Sequence, residues 1–386
     1  MDPVTHGLTG ALVGKAFFSE RPGRAGTLAV TLGALFPDSD VVFELFAPNE
    51  LATLEWHRGV THSFVGLPVF AFLLAGLTRY ILRRSPQPRF LSLWGLYALG
   101  LSVHILLDLI TSFGTMVWSP LAMSRPAWDL VFILDLTFTG IVLLPQVATW
   151  IYAARTGALR RGLLVWAFFS TVAVGLAYLV RPVFAGPYRL DVVLTVSGLL
   201  GAILLLPALQ GWGFAQRRAV FCRIGVAALA GYFALCAVCH ELAKQRVDTF
   251  AVRENLSVLH GGALPAAPWV FHWSGLILTP AGVYQGEINL LDARVPQFAF
   301  SAHAARNRYI EIAERLAAVQ TFRWFARFPL VSYRTYGNGA ATLHIVEYAD
   351  LRFSLGARRR RNPPAFAFRV VLTAGGDVVT AGFVGD

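Results

Sequence analysis

Charge is what this chain has least of: 14% of its 386 residues are Asp, Glu, Lys or Arg, against about a quarter in an average soluble domain. With 56% hydrophobic residues, that deficit excludes an ordinary water-soluble globule and points to a chain surrounded largely by lipid. Cysteine is scarce too. Cys222, Cys236 and Cys239 all fall in one apolar run, which excludes a disulfide framework and reads as core packing. There is no Gly-rich phosphate loop and no Gly-x-Ser-x-Gly elbow, so nucleotide hydrolysis and serine-esterase chemistry lack support. The N-terminus has none of the features of a secretory signal, which predicts that Met1 onwards is retained. No internal repeat and no low-complexity linker is visible.

Long apolar runs dominate instead, at 4–18, 27–46, 61–82, 91–113, 130–153, 162–180, 191–209 and 219–242. About 20 apolar residues cross ~30 Å of hydrocarbon at ~1.5 Å per residue. The first two runs are short or interrupted by glycine. The fold class expected is therefore mainly α: a polytopic transmembrane bundle of six to eight helices over residues 1–245, followed by a C-terminal α+β domain over 246–386. Basic residues gather at alternate connections, namely Lys15, Arg21 and Arg24; Arg79, Arg83, Arg84 and Arg89; Arg155, Arg160 and Arg161; Arg217 and Arg218. The other connections hold only Arg58, Arg125, Arg181 and Arg189, so the count is twelve against four. By the positive-inside rule the first set is cytoplasmic, which places the N-terminus and the C-terminal domain in the periplasm of a bacterial inner membrane. The same distribution accounts for the net charge of +11 without a nucleic-acid partner.

Beyond residue 245 the pattern changes. Strand-like runs occupy 269–278, 283–290, 330–336, 342–348, 366–372 and 378–383, with one amphipathic helix around 306–319. Asn338-Gly339 and Gly375-Gly376-Asp377 are turn signals. Trp269 and Trp273 suit a membrane-facing aromatic belt or a strand core equally. The run 358–361 reads as a solvated basic loop, with lipid phosphates as its functional alternative.

Ionisable groups at membrane depth are costly, and each is a functional hypothesis. His6, Asp38, Asp40, His57, His62, His104 and Asp108 all fall at the same ends of their apolar runs, so they can meet in one layer. His104 and Asp108 are four apart, which puts both on one helix face a turn from each other. Asp38 and Asp40 follow Pro37 in a turn, and the His57 to His62 spacing suits a loop entering a helix. Imidazole with carboxylate suits zinc, manganese or ferrous iron better than calcium. Seven such groups exceed the needs of one zinc ion, so a site with one or two ions is expected, some members orienting others. Any one of them alone is as readily a hydrogen-bonding partner between helices or a cap. Asp129 and Asp135 are weaker candidates, fitted to capping or orienting roles, and His240 reads as interfacial.

In combination, Asp2-Pro3-x-Thr5-His6 with Gly10, Leu35-Phe36-Pro37-Asp38-x-Asp40, His57-Arg58-Gly59-x-Thr61-His62-Ser63 and His104-x-x-x-Asp108 resemble the bacterial membrane-bound metal-dependent hydrolase family, the group of the LexA-regulated inner-membrane proteins. The resemblance covers about the first 150 residues. Phe322-Arg323-Trp324-Phe325-Ala326-Arg327-Phe328-Pro329 and Asp350-Leu351-Arg352-Phe353 look like the C-terminal domain of longer members. A fainter likeness is to zinc-dependent phospholipase C and related single-strand nucleases, from which the chain departs by carrying Met1 and Asp2 where those have a Trp ligand. These likenesses imply a hydrolase, with phosphoester chemistry by analogy alone. Its metal ligands would be His6, Asp38, His57, His62, His104 and Asp108, and Asp40, with Asp38, would carry catalysis as bridging ligand or general base. The substrate would be a membrane lipid or lipid-linked phosphoester. Two rival classes stand beside this reading: a transporter using the same cluster, whose ionisable groups should sit at the midplane between repeated halves, and a membrane scaffold with a closed structural metal site.

Overall fold

The structure, a computed structural model, describes residues 1–44, 46, 51–84, 88–180, 190–211, 214, 218–267, 269–337, 342–354 and 366–384. The Asn338-Gly339 turn and the basic run 358–361 lie outside them. In chain order the helical part holds α1 (Pro3–Phe18), α2 (Arg24–Leu35), α3 (Val41–Glu44), α4 (Ala52–Trp56), α5 (Leu67–Ile81), α6 (Phe90–Leu109), α7 (Leu136–Ile151), α8 (Ala158–Val180), α9 (Leu190–Leu209) and α10 (Arg218–Arg253). Short 3₁₀ turns at Phe36–Asp40 and Val60–His62 interrupt the chain around α3 and α4.

Every apolar run contains a helix. Among the described residues four helical stretches are long and apolar enough to cross a membrane: Phe90–Leu109, Ala158–Gly175, Asp191–Leu209 and Ala219–Arg253. A fifth crossing results if Ala52–His62 and Leu67–Ile81, bent by 71° against each other, form one broken span. Length sets the other helices apart. α1 and α7 have 16 residues each and α2 has 12, so at ~1.5 Å per residue they rise about 24 and 18 Å, short of ~30 Å of hydrocarbon. Pro37 at the start of the Phe36–Asp40 turn stops α2, because proline offers no N–H to continue a helix.

Close contacts divide the chain into two compact units, Met1–Gly10 with Ala29–Thr137 and Gly231–Asp386, and Ala11–Leu28 with Phe138–Ala230. In the second unit Ile151, Tyr152 and Leu204 form the buried centre. Polar groups fasten its helices: the Tyr152 hydroxyl donates to Leu204 O (2.8 Å) and Trp166 Nε1 to Ser197 O (2.9 Å). Cys222 in this unit, and Cys236 and Cys239 in the first, are buried and unbridged.

The first unit is set by glycine. A methyl group placed on Gly100 of α6 would lie 2.3 Å from Val30 O and 2.9 Å from Ala34 N, and one on Gly33 of α2 would lie 2.7 Å from Tyr97 O. α2 and α6 therefore touch backbone to backbone, as small residues permit between membrane helices.

Its C-terminal part is α+β, as expected. Two four-stranded antiparallel meanders have the orders β1-β2-β3-β4 and β5-β6-β7-β8, with β1 (His260–Pro265), β2 (His272–Thr279), β3 (Gly282–Asn289), β4 (Phe298–Ala302), β5 (Pro329–Tyr336), β6 (Leu343–Asp350), β7 (Ala367–Leu372) and β8 (Val378–Phe383). The first sheet packs Trp273, Ile277 and Ile288 on Ala243, Val247 and Phe250 near the end of α10. Trp273 is thus strand core, with the His240 ring 5.5 Å away, while Trp269 is exposed. The single helix expected around 306–319 is two, α11 (Arg308–Glu314) and α12 (Ala317–Phe325), because Leu316 between them takes extended backbone angles. Asn307 caps α11 by accepting from the amides of Tyr309 and Ile310. Both helices share a core with Val346, Tyr348 and Phe368 of the second sheet, and with Leu51 and Leu54 from the start of α4.

Candidate metal centre

α6 supplies His104 and Asp108 from one face, both fully buried. The close approach at Gly33 and Gly100 brings the C-terminal end of α2 against α6, so that His104 Nδ1 lies 2.7 Å from Ala34 O. A carbonyl only accepts, so Nδ1 carries the proton and Nε2 is left with its lone pair facing inward. His62, at the end of the Val60–His62 turn, has its Nδ1 3.0 Å from the Thr61 hydroxyl, which can donate or accept. Its Nδ1 lies 3.3 Å from Asp40 Oδ2 and its Nε2 faces inward, 3.0 Å from His104 Nε2. Two imidazole lone pairs at that separation repel unless a cation or a proton stands between them.

His6, on the first turns of α1, stacks its ring on His104 with centroids 3.6 Å apart. Its Nε2 is 3.3 Å from Asp108 Oδ1, and Asp38 Oδ1 is 3.5 Å from His104 Nε2 and 3.6 Å from His62 Nε2. One ligand atom each from His6, Asp38, His104 and Asp108 falls within 4.8 Å of the others. These approaches are not hydrogen bonds. Among the described residues both nitrogens of His6, Asp38 Oδ2 and Asp108 Oδ2 are buried with no hydrogen-bond partner, a state that costs free energy unless something else satisfies the atoms. Asp38, Asp40 and Asp108 also outnumber the guanidinium of Arg58, even when the Met1 nitrogen that reaches Asp108 Oδ1 is counted as a cation. Converging unsatisfied N and O donors with surplus negative charge fit a divalent cation.

Of the residues singled out in the sequence, His6, Asp38, His62, His104 and Asp108 thus come together at the centre. Asp40 and His57 stand one step outside. Asp40 accepts from the Arg58 backbone N–H (3.0 Å), and its two oxygens approach the Nδ1 atoms of His57 (3.2 Å) and His62. It therefore holds one imidazole of the cluster in place from behind. His57 is 27% exposed and Asp38 14%, against none for His6, His62, His104 and Asp108, so solvent meets the cluster on the Asp38 and His57 side. Asp129 and Asp135 are elsewhere: Asp129 receives both Arg327 Nη atoms at 2.9 and 2.8 Å, and Asp135 accepts from the Tyr232 hydroxyl at 2.6 Å.

Arginines brace the centre, and the sequence assigned them no contact: Arg58 and Arg125 entered the loop charge, and Arg58 and Arg352 the motifs that carry the resemblance. Arg58 holds Asp108 Oδ1 at 3.0 Å and donates to Thr111 Oγ1 at 3.1 Å, which steadies the carboxylate and leaves Oδ2 for the cluster. Its guanidinium stacks on the Phe113 ring, 4.8 Å from the centroid, and Arg125 stacks on the same ring at 5.2 Å and on Phe325 of α12 at 5.1 Å. Arg352 lies over Phe325 as well (4.8 Å), pairs with the buried Asp350 (2.7 Å), and donates to the Ser112 and Phe113 carbonyls at 3.0 and 3.2 Å. The segment just after Asp108 is therefore gripped from the C-terminal part of the chain by cation–π contacts and charge-assisted hydrogen bonds. Burial, with Arg58 and Arg352 near by, pushes Arg125 down to about 9, still charged at neutral pH. Burial lowers Arg352 too, and Asp350 opposes that shift.

The chain is thus a membrane protein with a buried His/Asp cluster at the end of its helices and an α+β part braced against it. Residues 1–185 match the family model described as YdjM inner membrane protein. Over 164 residues the chain is 29% identical to a protein of Bacillus subtilis (strain 168) described as uncharacterized protein YfhP, covering 41% of this chain and 48% of that protein. The chain spans about half the length of the curated relative it matches. No solved structure matches it. These likenesses support an inner membrane protein, and none of them carries a hydrolase or phospholipase C description.

Proposed function

We propose that the protein is a metal-dependent hydrolase of the bacterial inner membrane acting on a lipid or lipid-linked phosphoester, with zinc as its metal and manganese as the alternative. The observation that carries this reading is the convergence of buried, unsatisfied donor atoms from His6, Asp38 and Asp108 around the inward-facing Nε2 atoms of His62 and His104. A divalent ion held there would acidify a water and stabilise negative charge on an attacked phosphoryl group. The chain's own residues supply the rest. Asp40 orients His62 and His57, and serves as general base together with Asp38. His57, the most exposed member, passes protons to solvent. Arg58 pairs with Asp108 and aims it. The surplus of Lys and Arg on alternate connections supports a periplasmic placement of the cluster and of the C-terminal part.

A second reading, a scaffold with a structural metal, draws on the complete burial of His6, His62, His104 and Asp108, since closed sites are structural ones. The first test is elemental analysis of detergent-purified protein, wild type beside His104→Ala and Asp108→Ala. About one to two equivalents of zinc or manganese, lost in both variants, is the expected result. No metal in well-folded wild type, after growth with metals supplied, sinks both readings. Metal without hydrolysis of phospholipid or isoprenoid-phosphate substrates moves the scaffold to the front.

A further inference from the structure

A cleft of about 870 Å³ opens beside the metal centre, within the ~300–1,000 Å³ usual for ligand sites. Phe36, Val42, Trp56, Val60 and Phe70 make most of its wall, and Asp40 with Thr61, 3.4 Å apart, gives it a polar side. That polar side is the one that reaches the cluster, because the same Asp40 carboxylate contacts His57 and His62.

Among the described residues the apolar side is left open. Trp56 and Val60 are 41% and 43% exposed. Phe70 stacks against Phe36 at 5.2 Å and stands on α5, whose neighbouring side chains Val69, Phe72, Leu73 and Leu77 are 53–58% exposed. At its other margin the cleft includes Ser119, flanked by Trp118 and Leu121, which are 52% and 79% exposed. In water such a continuous apolar surface is a liability. In a chain that spans a bilayer it is the surface that lipid covers, and tryptophan marks the depth where hydrocarbon gives way to headgroups. The cleft is therefore continuous with the lipid-facing side of α5 at one margin and with a metal-linked carboxylate at the other. The occupant that matches both ends is an amphiphile.

We infer that this cleft seats the hydrocarbon chain of a membrane lipid, entering sideways from the bilayer past α5, with the lipid's polar end directed to Asp40. The inference rests on the proposed lipid-directed reaction and names where its substrate lies. It also gives the stacked pair Phe36 and Phe70 a role as lining of the path toward the cluster.

The test uses the full chain in phosphatidylethanolamine–phosphatidylglycerol vesicles containing phosphatidylglycerol with a diazirine on its acyl chain. After illumination, labelled peptides are mapped. Labelling of segments bearing Trp56, Val60 and Phe70 is expected, falling about tenfold in Val42→Trp or Val60→Trp, which overfill the cleft, and unchanged in Leu77→Trp on the outer side of α5. Labels confined to outer α5 positions such as Leu73 and Leu77 in wild type overturn the inference. So does undiminished cleft labelling in both filled variants that still hold metal. Hydrolysis and metal content are read on the same samples. Cleft labelling without turnover upholds the cleft and sinks the hydrolase, whereas turnover with labels confined to outer α5 sinks the cleft alone.

Discussion

Gly100→Ala should cost the protein its metal, although Gly100 touches no proposed ligand. The added methyl would lie 2.3 Å from Val30 O and 2.9 Å from Gly33 Cα and Ala34 N. Atoms in packed interiors stay beyond ~3 Å, so α2 and α6 must separate by about 1 Å. His104 Nδ1 reaches Ala34 O across this contact at 2.7 Å, and the same displacement stretches that bond past ~3.5 Å, where it ceases to be one. The imidazole then loses the partner that fixes its tautomer, a loss worth roughly 10- to 100-fold in metal affinity, or about 1.4–2.7 kcal/mol. Helix propensity works the other way, since alanine is favoured over glycine by about 1 kcal/mol, so a simple loss of helix does not account for the effect. The assay is chelator competition for zinc on detergent-purified protein. Gly95→Ala on the same helix, where an added Cβ meets nothing within 4 Å, is the control and should bind as wild type. Unchanged affinity in Gly100→Ala, or an equal loss in Gly95→Ala, would falsify the reasoning.

Arg352→Met should lower the melting temperature sharply and weaken metal retention. It leaves Asp350, which is fully buried, without its partner, a change of about 3–5 kcal/mol for a broken buried pair. Tryptophan-fluorescence melting reads it, and Arg352→Lys should recover only part, because lysine lacks the planar fork. Chelation should lower the melting temperature of wild type, and zinc restored to 100 times its Kd should return about 2.7 kcal/mol. A melting curve indifferent to chelator in wild type, or equally responsive in Asp108→Asn, would contradict that. For pH, burial lowers His303, whose Nδ1 accepts from the Val331 amide at 3.4 Å. Below the unfolded value of about 6.5 the unfolded chain takes up a proton that the folded one refuses, so stability falls with acid. His303→Gln should flatten that decline between about pH 6.5 and 5 in a melting series.

Periodicity and composition located the eight helix-bearing runs and six of the eight strands, because long apolar stretches and alternating segments are local signals. Span length was not legible to the same degree. The run from 27 to 46 showed its proline and turn, but not that α2 keeps only 12 residues before Pro37. β1 escaped because Gly261 and Gly262 dilute its pattern, and β4 because it is five residues long and paired on one side only. The His/Asp residues were visible because ionisable groups in apolar runs stand out. Their division into a central set and an outer pair was not, since it depends on the Val60–His62 turn swinging His62 inward and leaving His57 partly exposed. Arg58 was counted for topology and quoted within the His57-Arg58-Gly59 motif, yet its contact with Asp108 was not drawn from either. Arg125 and Arg352 offered no local clue, as each acts on residues far away in the chain.

The grip of Arg352 on Ser112 and Phe113 bears on how such chains can be shortened or recombined. The family match ends at residue 185, whereas the groups that clasp the loop after Asp108 come from α12 and from the stretch following β6. A graft carrying the matched residues alone would transplant all seven His and Asp residues yet leave two carbonyls without their donor and the Phe113 ring without Phe325 and Phe353. Any natural or engineered chain that keeps the front portion without this ending must therefore supply a replacement clasp, and the place to look for it is against the loop at positions 111–114.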